Sequence, residues 1–320
     1  MRHLTILPQS ARPRRHRRIL AGCVILAAMA ASPAFAATPP PGFASPDEAV
    51  AALVSAARSE KPADLERLLG PGSDRLVESG DPVSDKEGRE RFVAAYDEQH
   101  AVEPNGDSKA TLVVGHEDWP MPIPVVKEGS LWRFDAAAGA EEILARRVGH
   151  NERRTIATCR AYVEAQLAYA AQDRDGDGIR DYAQLFLSSD GKHDGLYWPA
   201  DAGAEESPIG PLVANARAEG YAGRGVNTQE TPYHGYFFKI LTRQGPHAPG
   251  GAYDYVANGH MIGGFALIAF PANWGDSGIM SFIVGQDGRV LEKNLGSETG
   301  SIARAMTEYD PDQSWHAAVP

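Results

Sequence analysis

Cysteine is nearly absent from this 320-residue chain: Cys23 and Cys159 are the only two. Cys23 falls in a segment that reads as removed on export, so Cys159 has no intrachain partner and a disulfide scaffold is excluded. Cys159 lies on the apolar face of a predicted helix and reads as a buried thiol. Closely spaced histidines are missing too. No pair among His100, His116, His150, His193, His234, His247, His260 and His316 has the helical spacing of a zinc site. Beyond residue 36 no apolar run is long enough to cross a bilayer. Positive charge is scarce, with 31 Lys and Arg against 42 Asp and Glu. Six of those arginines precede residue 37, where there are no acids, so their removal takes the net charge from −11 to −17. Such a protein does not bind nucleic acid or anionic lipid through bulk electrostatics. There is no long internal repeat and no low-complexity run.

The N-terminus has the three parts of an export signal. Arg12, Arg14, Arg15, Arg17 and Arg18 form a basic region, residues 19–31 an apolar run, and Ala34-Phe35-Ala36 a cleavage pattern. The expected mature start is Ala37, in the periplasm or outside the cell, with no stable membrane anchor. Leu20-Ala21-Gly22-Cys23 spells a lipobox, but it precedes the apolar run instead of following it. The paired arginines fit twin-arginine export poorly, so general secretion is the simpler route.

The densest chemistry is Asp173-Arg174-Asp175-Gly176-Asp177-Gly178-Ile179-Arg180-Asp181. Its alternating carboxylates match the first nine positions of a calcium loop. Asp173, Asp175, Asp177 and Asp181 would give side-chain oxygens and Ile179 its carbonyl, with Gly178 at the sharp turn. Gln184 stands where such a loop has its bidentate Glu, and Arg180 where an apolar residue is expected. The expectation is weak Ca²⁺ binding, against a polar turn whose aspartates bond their own backbone. His193-Asp194 is close enough in sequence to support the loop.

Other motifs weigh less. Gly275-Asp276-Ser277-Gly278 spells the tetrad of a serine protease nucleophile, but the companion histidine context is missing, and triads are recognised by geometry. Gly220-Tyr221-Ala222-Gly223-Arg224-Gly225 lacks the preceding strand of a dinucleotide site. Tyr233, His234, Tyr236, Asp254 and His260 are candidates to line one pocket beside the Gly- and Pro-rich loop 243–255, which reads as exposed. The aromatics Tyr233, Tyr236, Phe237, Phe238, Tyr253, Tyr255, Phe265 and Phe270 read as sheet core or as a peptide- or glycan-binding face.

The pattern predicts an α+β chain. Ser45-Pro46-Asp47-Glu48 and Ser84-Asp85-Lys86-Glu87 read as capping boxes, and 62–69 as a second short helix. The second box opens a helix burying Phe92, Val93 and Tyr96. Strands follow at 110–115, 123–126 and 131–135. Residues 139–172 carry the longest helical pattern, with Leu144, Val148, Ile156, Cys159, Val163, Leu167 and Ala170 on one face and a break expected near Gly149. A helix at 208–219 and strands at 233–242, 264–270, 279–284 and 289–295 complete the reading. The expected layout is a signal peptide (1–36), a small N-terminal α+β domain (37–138), a connecting helix (139–155), a C-terminal α+β domain (156–296) and a tail (297–320) that is a short helix at best.

Helices followed by a meander with alternating Trp132 and Phe134 resemble the NTF2-like or cystatin-like architecture. Residues 156–295 resemble a type IV pilin or pseudopilin: a helical stem ending in Ala168-Tyr169-Ala170-Ala171-Gln172, the Asp loop, the Tyr236-Phe237-Phe238 strand, GFALIAF and SFIVGQDGRV. That implies a long helix packed on an antiparallel sheet. The chain lacks a prepilin-peptidase site and an apolar N-terminal helix before the stem, so it is not expected to assemble into a pilus. GAEEILARRVGHNE, AYVEAQLAYA, YHGYFFKILTRQGPHAPGGAYDY and MIGGFALIAFP further resemble an exported bacterial family, the domain-of-unknown-function family twenty-nine fifty. That resemblance implies export and a two-part layout, and no activity.

The reading favours a binding or structural interaction module over an enzyme. Its partner would be an envelope protein or a glycan or peptide ligand, and the only cofactor it suggests is Ca²⁺. The alternative is a hydrolase with its site between the domains near His234, His260 and Asp254.

Overall fold

The computed structural model describes residues 39–174, 176–199, 205–221 and 231–319, all within one compact unit. The export segment 1–36 with Cys23, the candidate ligand Asp175, and residues 222–225 of the Gly-rich stretch lie outside the described residues. Mixed helices and antiparallel sheets bear out the α+β reading. No helix among the described residues is long and apolar enough to cross a membrane.

The first half holds α1 (Pro46–Arg58), α2 (Pro62–Leu69), α3 (Asp74–Val77) and α4 (Pro82–Glu98). An antiparallel sheet follows, made of β1 (His100–Pro104), β2 (Lys109–Val114), β3 (Trp119–Pro120), β4 (Val125–Glu128) and β5 (Leu131–Phe134). Its order is β1-β2-β4-β5, with β3 beside β2. The Ser45 box forms as expected: the Glu48 amide donates to Ser45 Oγ (3.1 Å), and Pro46 fills the first turn, where no amide is needed. Ala49, Val50, Leu53, Val54 and Ala57 make the buried stripe of α1, which packs on β4 and β5. The Ser84 box does not form. The cap of α4 is Asp81, whose carboxylate accepts from the Ser84 amide, and Ser84 sits inside the first turn. The deciding signal is Asp81-Pro82, a capping acid followed by proline at the first helical position. Strands β1 and β3 were not expected; each is short and mostly exposed, with too little apolar alternation to show in the sequence.

The spine is α5, 35 residues from Ala136 to Ala170 without a break. Gly149 is tolerated because one glycine in so long a helix costs only about 1 kcal/mol. The buried face departs from the expected stripe. Leu167 is exposed, while Tyr162, Gln166 and Tyr169 are buried. Hydrogen bonds permit this. The Tyr162 hydroxyl donates to the Ala266 carbonyl (3.2 Å), and Gln166 exchanges bonds with the Ala183 backbone in both directions. A satisfied buried amide fixes the chain just after the Asp loop, which apolar periodicity does not reveal.

In the second half come β6 (Leu185–Leu187) and β7 (Gly195–Tyr197), a parallel pair, then α6 (Gly210–Ala218) and β8 (Tyr236–Leu241). Two small ladders follow: β9 (Arg243–Gln244) with β10 (Tyr253–Asp254), and β11 (Val256–Ala257) with β12 (His260–Met261). The chain ends with β13 (Ala266–Pro271), β14 (Ser281–Gly285), β15 (Val290–Lys293), α7 (Thr299–Ala305) and β16 (His316–Ala317). The main sheet runs β16-β15-β14-β13-β8, all antiparallel, and α5 packs on β13, β14 and β15. Every residue of β13 and β14 is buried, as in central strands covered on both faces. The tail adds β16, so it is part of the sheet and not a helix alone. Loop 243–255 is pinned from within, because buried Gln244 donates to the carbonyls of Pro249 (2.8 Å) and Gly251 (2.6 Å). The apolar core forms two clusters, one on the first sheet and one on the second, with α5 reaching both.

Candidate functional site

α4 is the anomaly of the first half. It spans 17 residues between two neighbouring elements and fully buries none of them. A helix laid on a sheet normally seals an apolar stripe against it. Here a cavity of about 820 Å³ opens beneath, within the range of pockets that hold cofactor-sized ligands. Its wall is apolar: Leu53, Leu65 and Leu69 from α1 and α2, Phe92 from α4, and Val114 and Ile123 from the sheet side. Trp119, 42 % exposed, stands at the rim.

Four arginines line the same cavity, two from α4 (Arg89, Arg91) and two from α5 (Arg146, Arg147). Three are committed. Arg91 pairs with Glu87 one turn back. Arg147 donates to the carbonyls of Arg75 and Leu76, and burial pulls its guanidinium below the ordinary value. Arg146 donates through Nε to Glu142 (2.5 Å) and stacks over Trp119, 4.4 Å from the ring centre. Its Nη1 is nonetheless buried without a hydrogen-bond partner, and so is Nε of Arg89. Among the described residues Arg89 has no ion pair or side-chain hydrogen bond. The lining acids are mostly occupied: Glu98 pairs with His116 (2.8 Å), and Asp85 accepts from the Ser79 amide (2.9 Å). His150, also on the lining, is held below its ordinary pKa by burial first and then by Arg154, Arg91 and Arg153. The compartment is therefore apolar below and electropositive at its helical wall.

The arginines were not singled out as a site from sequence beyond lying off the apolar face of α5. The usable signal was the helix 82–98 itself, which is too poorly amphipathic to seal the sheet it covers and carries Gly88-Arg89-Glu90-Arg91 at its centre.

His234 sits elsewhere, in a buried polar seam beside α5. Tyr233–Tyr236 form a tight turn in which the two end residues exchange backbone hydrogen bonds of 2.8 and 3.1 Å. The central φ angles are +50° at His234 and +77° at Gly235. A side chain at Gly235 would meet Asn151 Nδ2 at 2.6 Å, so position 235 requires glycine on both counts. The turn is gripped by the first half: the Gly235 amide donates to Asp81 (2.8 Å), as does the Tyr221 hydroxyl (2.8 Å), which in turn accepts from the His234 amide (3.0 Å). Burial raises the Asp81 carboxyl above its ordinary value. The His234 ring, 3 % exposed, has Nε2 at 3.1 Å from both Arg154 and Glu219. Burial, and after it Arg154, pushes its pKa down to about 3. A neutral, enclosed imidazole of this kind braces a turn and has no open face for a substrate.

Of the five candidate pocket residues, Tyr233, His234 and Tyr236 come together, all buried. Asp254 is exposed on β10 and pairs with Arg243 (3.3 Å). His260 lies by the Asp loop, whose following residue Ala183 is held by Gln166. Gln166 is twelve residues beyond Arg154 on α5, or about 18 Å along the helix from the His234 seam. The aromatics 233, 236, 238, 255, 265 and 270 are core.

In the Asp loop the carboxylates divide. Asp173 accepts from the amides of Gly176 and Gly178 (both 2.9 Å), and Asp177 accepts from Ile179 (2.8 Å). The second oxygen of Asp177 and one of Asp181 both approach His260 Nδ1, at 3.3 and 3.4 Å. Gln184 turns its amide to the Gly259 carbonyl (2.7 Å). His193 stacks on Trp198, over which Arg174 of the loop also lies, so its support for the loop runs through that ring. Ser277 is fully buried and bonded to the Asn273 backbone, and Asp276 pairs with Arg75; the Gly-Asp-Ser-Gly loop is structural.

No curated protein and no solved structure matches the chain. A family model described as "Protein of unknown function (DUF2950)" matches residues 41–318.

Proposed function

The chain belongs to the DUF2950 family, which has no stated activity, and from that premise we propose that it is an exported ligand-binding module whose compartment is the cavity beneath α4. One observation carries this reading: a 17-residue helix that fully buries none of its residues, with Phe92, Val93 and Tyr96 only half-buried on the core, covers a cavity of about 820 Å³ lined by apolar side chains. An organic molecule that covers the apolar surface still open on the lining, Trp119 at the rim included, gains about 25 cal/mol per Å². The test uses a neutral polarity-sensitive dye, N-phenylnaphthylamine. Wild type should brighten it, and Ala95→Phe, which fills the cavity from α4, should not. Equal brightening by both proteins, or none by either, sinks the reading.

Export rests on the N-terminal pattern alone; intact mass of the protein recovered outside the cytoplasm should begin at Ala37, and retention of residues 1–36 counts against it. The interaction role proposed for the second half rests on α5 lying on a five-stranded antiparallel sheet, the arrangement a pilin-like half would have. Weak Ca²⁺ binding by the Asp loop remains a proposal that rests on its carboxylate spacing; the Asp177 and Asp181 oxygens turn to His260 Nδ1, and no group of three or more ligating side chains is gathered among the described residues. The buried state of His234 and its separation from His260 and Asp254 favour the binding reading over a hydrolase.

A further inference from the structure

We propose that the cavity beneath α4 selects an amphiphile with a single carboxylate head, its apolar tail against the half-buried or exposed Phe92, Trp119, Met121 and Ile143 and its head on Arg89. The inference rests on the cavity being the binding compartment and adds the class of ligand. Two facts set the class. The wall is hydrocarbon, which a sugar or a small dianion would leave uncovered. Arg89 lines the cavity and its guanidinium has no ion pair or side-chain hydrogen bond among the described residues, which leaves its charge for a ligand.

Guanidinium groups match carboxylates best, because their planar donors meet two oxygens at once. The remaining charges leave little to bind a larger anion: Arg91 is taken by Glu87, and Arg147 by two backbone carbonyls. A cationic head is disfavoured by the four arginines on the lining. Glu117 is exposed at the rim, away from the hydrocarbon wall.

The experiment is calorimetric titration of the exported protein below micelle-forming concentrations. The ligands are dodecanoate, dodecanol and dodecyltrimethylammonium, which share a tail and differ in the head. The proteins are wild type, Arg89→Gln and Arg89→Lys, with circular dichroism to confirm that each is folded. Dodecanoate should bind wild type on the order of tenfold tighter than dodecanol. Arg89→Gln should abolish that preference, and Arg89→Lys should keep part of it. If dodecanol or the ammonium binds wild type as tightly as dodecanoate, the head-group assignment is wrong although the compartment stands. A preference that survives Arg89→Gln overturns the role given to Arg89. If none of the three ligands binds, the compartment reading itself fails, and this inference with it.

Discussion

His234 shows how one residue couples backbone, burial and pH. Its left-handed φ of +50° is uncommon outside glycine, although histidine is enriched there with asparagine and aspartate, and the turn keeps it there because Tyr221 holds its amide and Asp81 that of Gly235. Its folded pKa of about 3 lies below the ordinary 6.5 of the unfolded chain. Between those values the unfolded chain takes up a proton that the folded protein refuses. Stability contributed by the neutral ring is therefore present above pH 6.5 and lost as pH falls towards 3, at about 1.4 kcal/mol per pH unit for one proton. Asp81 works in the opposite sense. Its folded pKa is raised, so its contribution is fully present at low pH and is lost as pH rises through that raised value. His234→Asn tolerates the turn and removes the titration. Urea unfolding from pH 7 to 4 should show a shallower loss of stability in this variant than in wild type; parallel curves would mean that the ring is already protonated in the fold.

Among the elements, Gly88 of α4 and Gly139 of α5 make a clean contrast. Gly139 is where α5 crosses the chain before β4, and a Cβ there would lie 2.7 Å from the backbone of Pro122 and Ile123. Gly88, on the cavity side of α4, has only Arg91 Nη2 within 4 Å, at 3.9 Å. Helix propensity favours alanine equally at both, by about 0.5–1 kcal/mol. Gly88→Ala should therefore stabilise by about that amount. Gly139→Ala should destabilise by about 1–2 kcal/mol, because overpacking outweighs propensity. Chemical denaturation decides it, and stabilisation by both would show that α5 is free to shift. The Asp loop makes its own prediction. With Gln184 in place of a bidentate acid, Ca²⁺ should bind at roughly 10⁻⁴ to 10⁻³ M, and millimolar Ca²⁺ should add about 1 kcal/mol through linkage. The rise in melting temperature should disappear in the double variant Asp177→Asn, Asp181→Asn. No rise in wild type, or the same rise in both, reduces the loop to a polar turn.

At the scale of the molecule, two apolar clusters share one helix. We propose that they are separate folding units. The seam between the first and second halves is polar: Arg75 with Asp276, Asn273 with the Ser79 carbonyl (2.9 Å), and Asp81 with the Tyr233–Tyr236 turn. Polar seams confer register but little of the driving force that apolar clusters supply. Fragments 37–138 and 150–320 should each retain protected amides in hydrogen exchange, with the strongest protection on β2 and β4 in one and on β13 and β14 in the other. Loss of protection in both fragments would make the seam and the intact α5 indispensable to either core.

Local chemistry alone determined the class of fold and most of its elements. Capping at Ser45, the stripe of α1 and the apolar runs of β13 and β14 act over a few residues, so their signals stand in the chain itself. The burial of Cys159 was legible for the same reason, as one position on a helical face. Tertiary structure decided whatever depends on partners distant in sequence. It turned α5 to bury Gln166 and expose Leu167, because the Ala183 backbone satisfies the amide. It made Asp81 both the cap of α4 and the anchor of a turn some 150 residues away. It also opened the cavity: space under a helix is a mismatch between two surfaces, and no single segment of sequence records it.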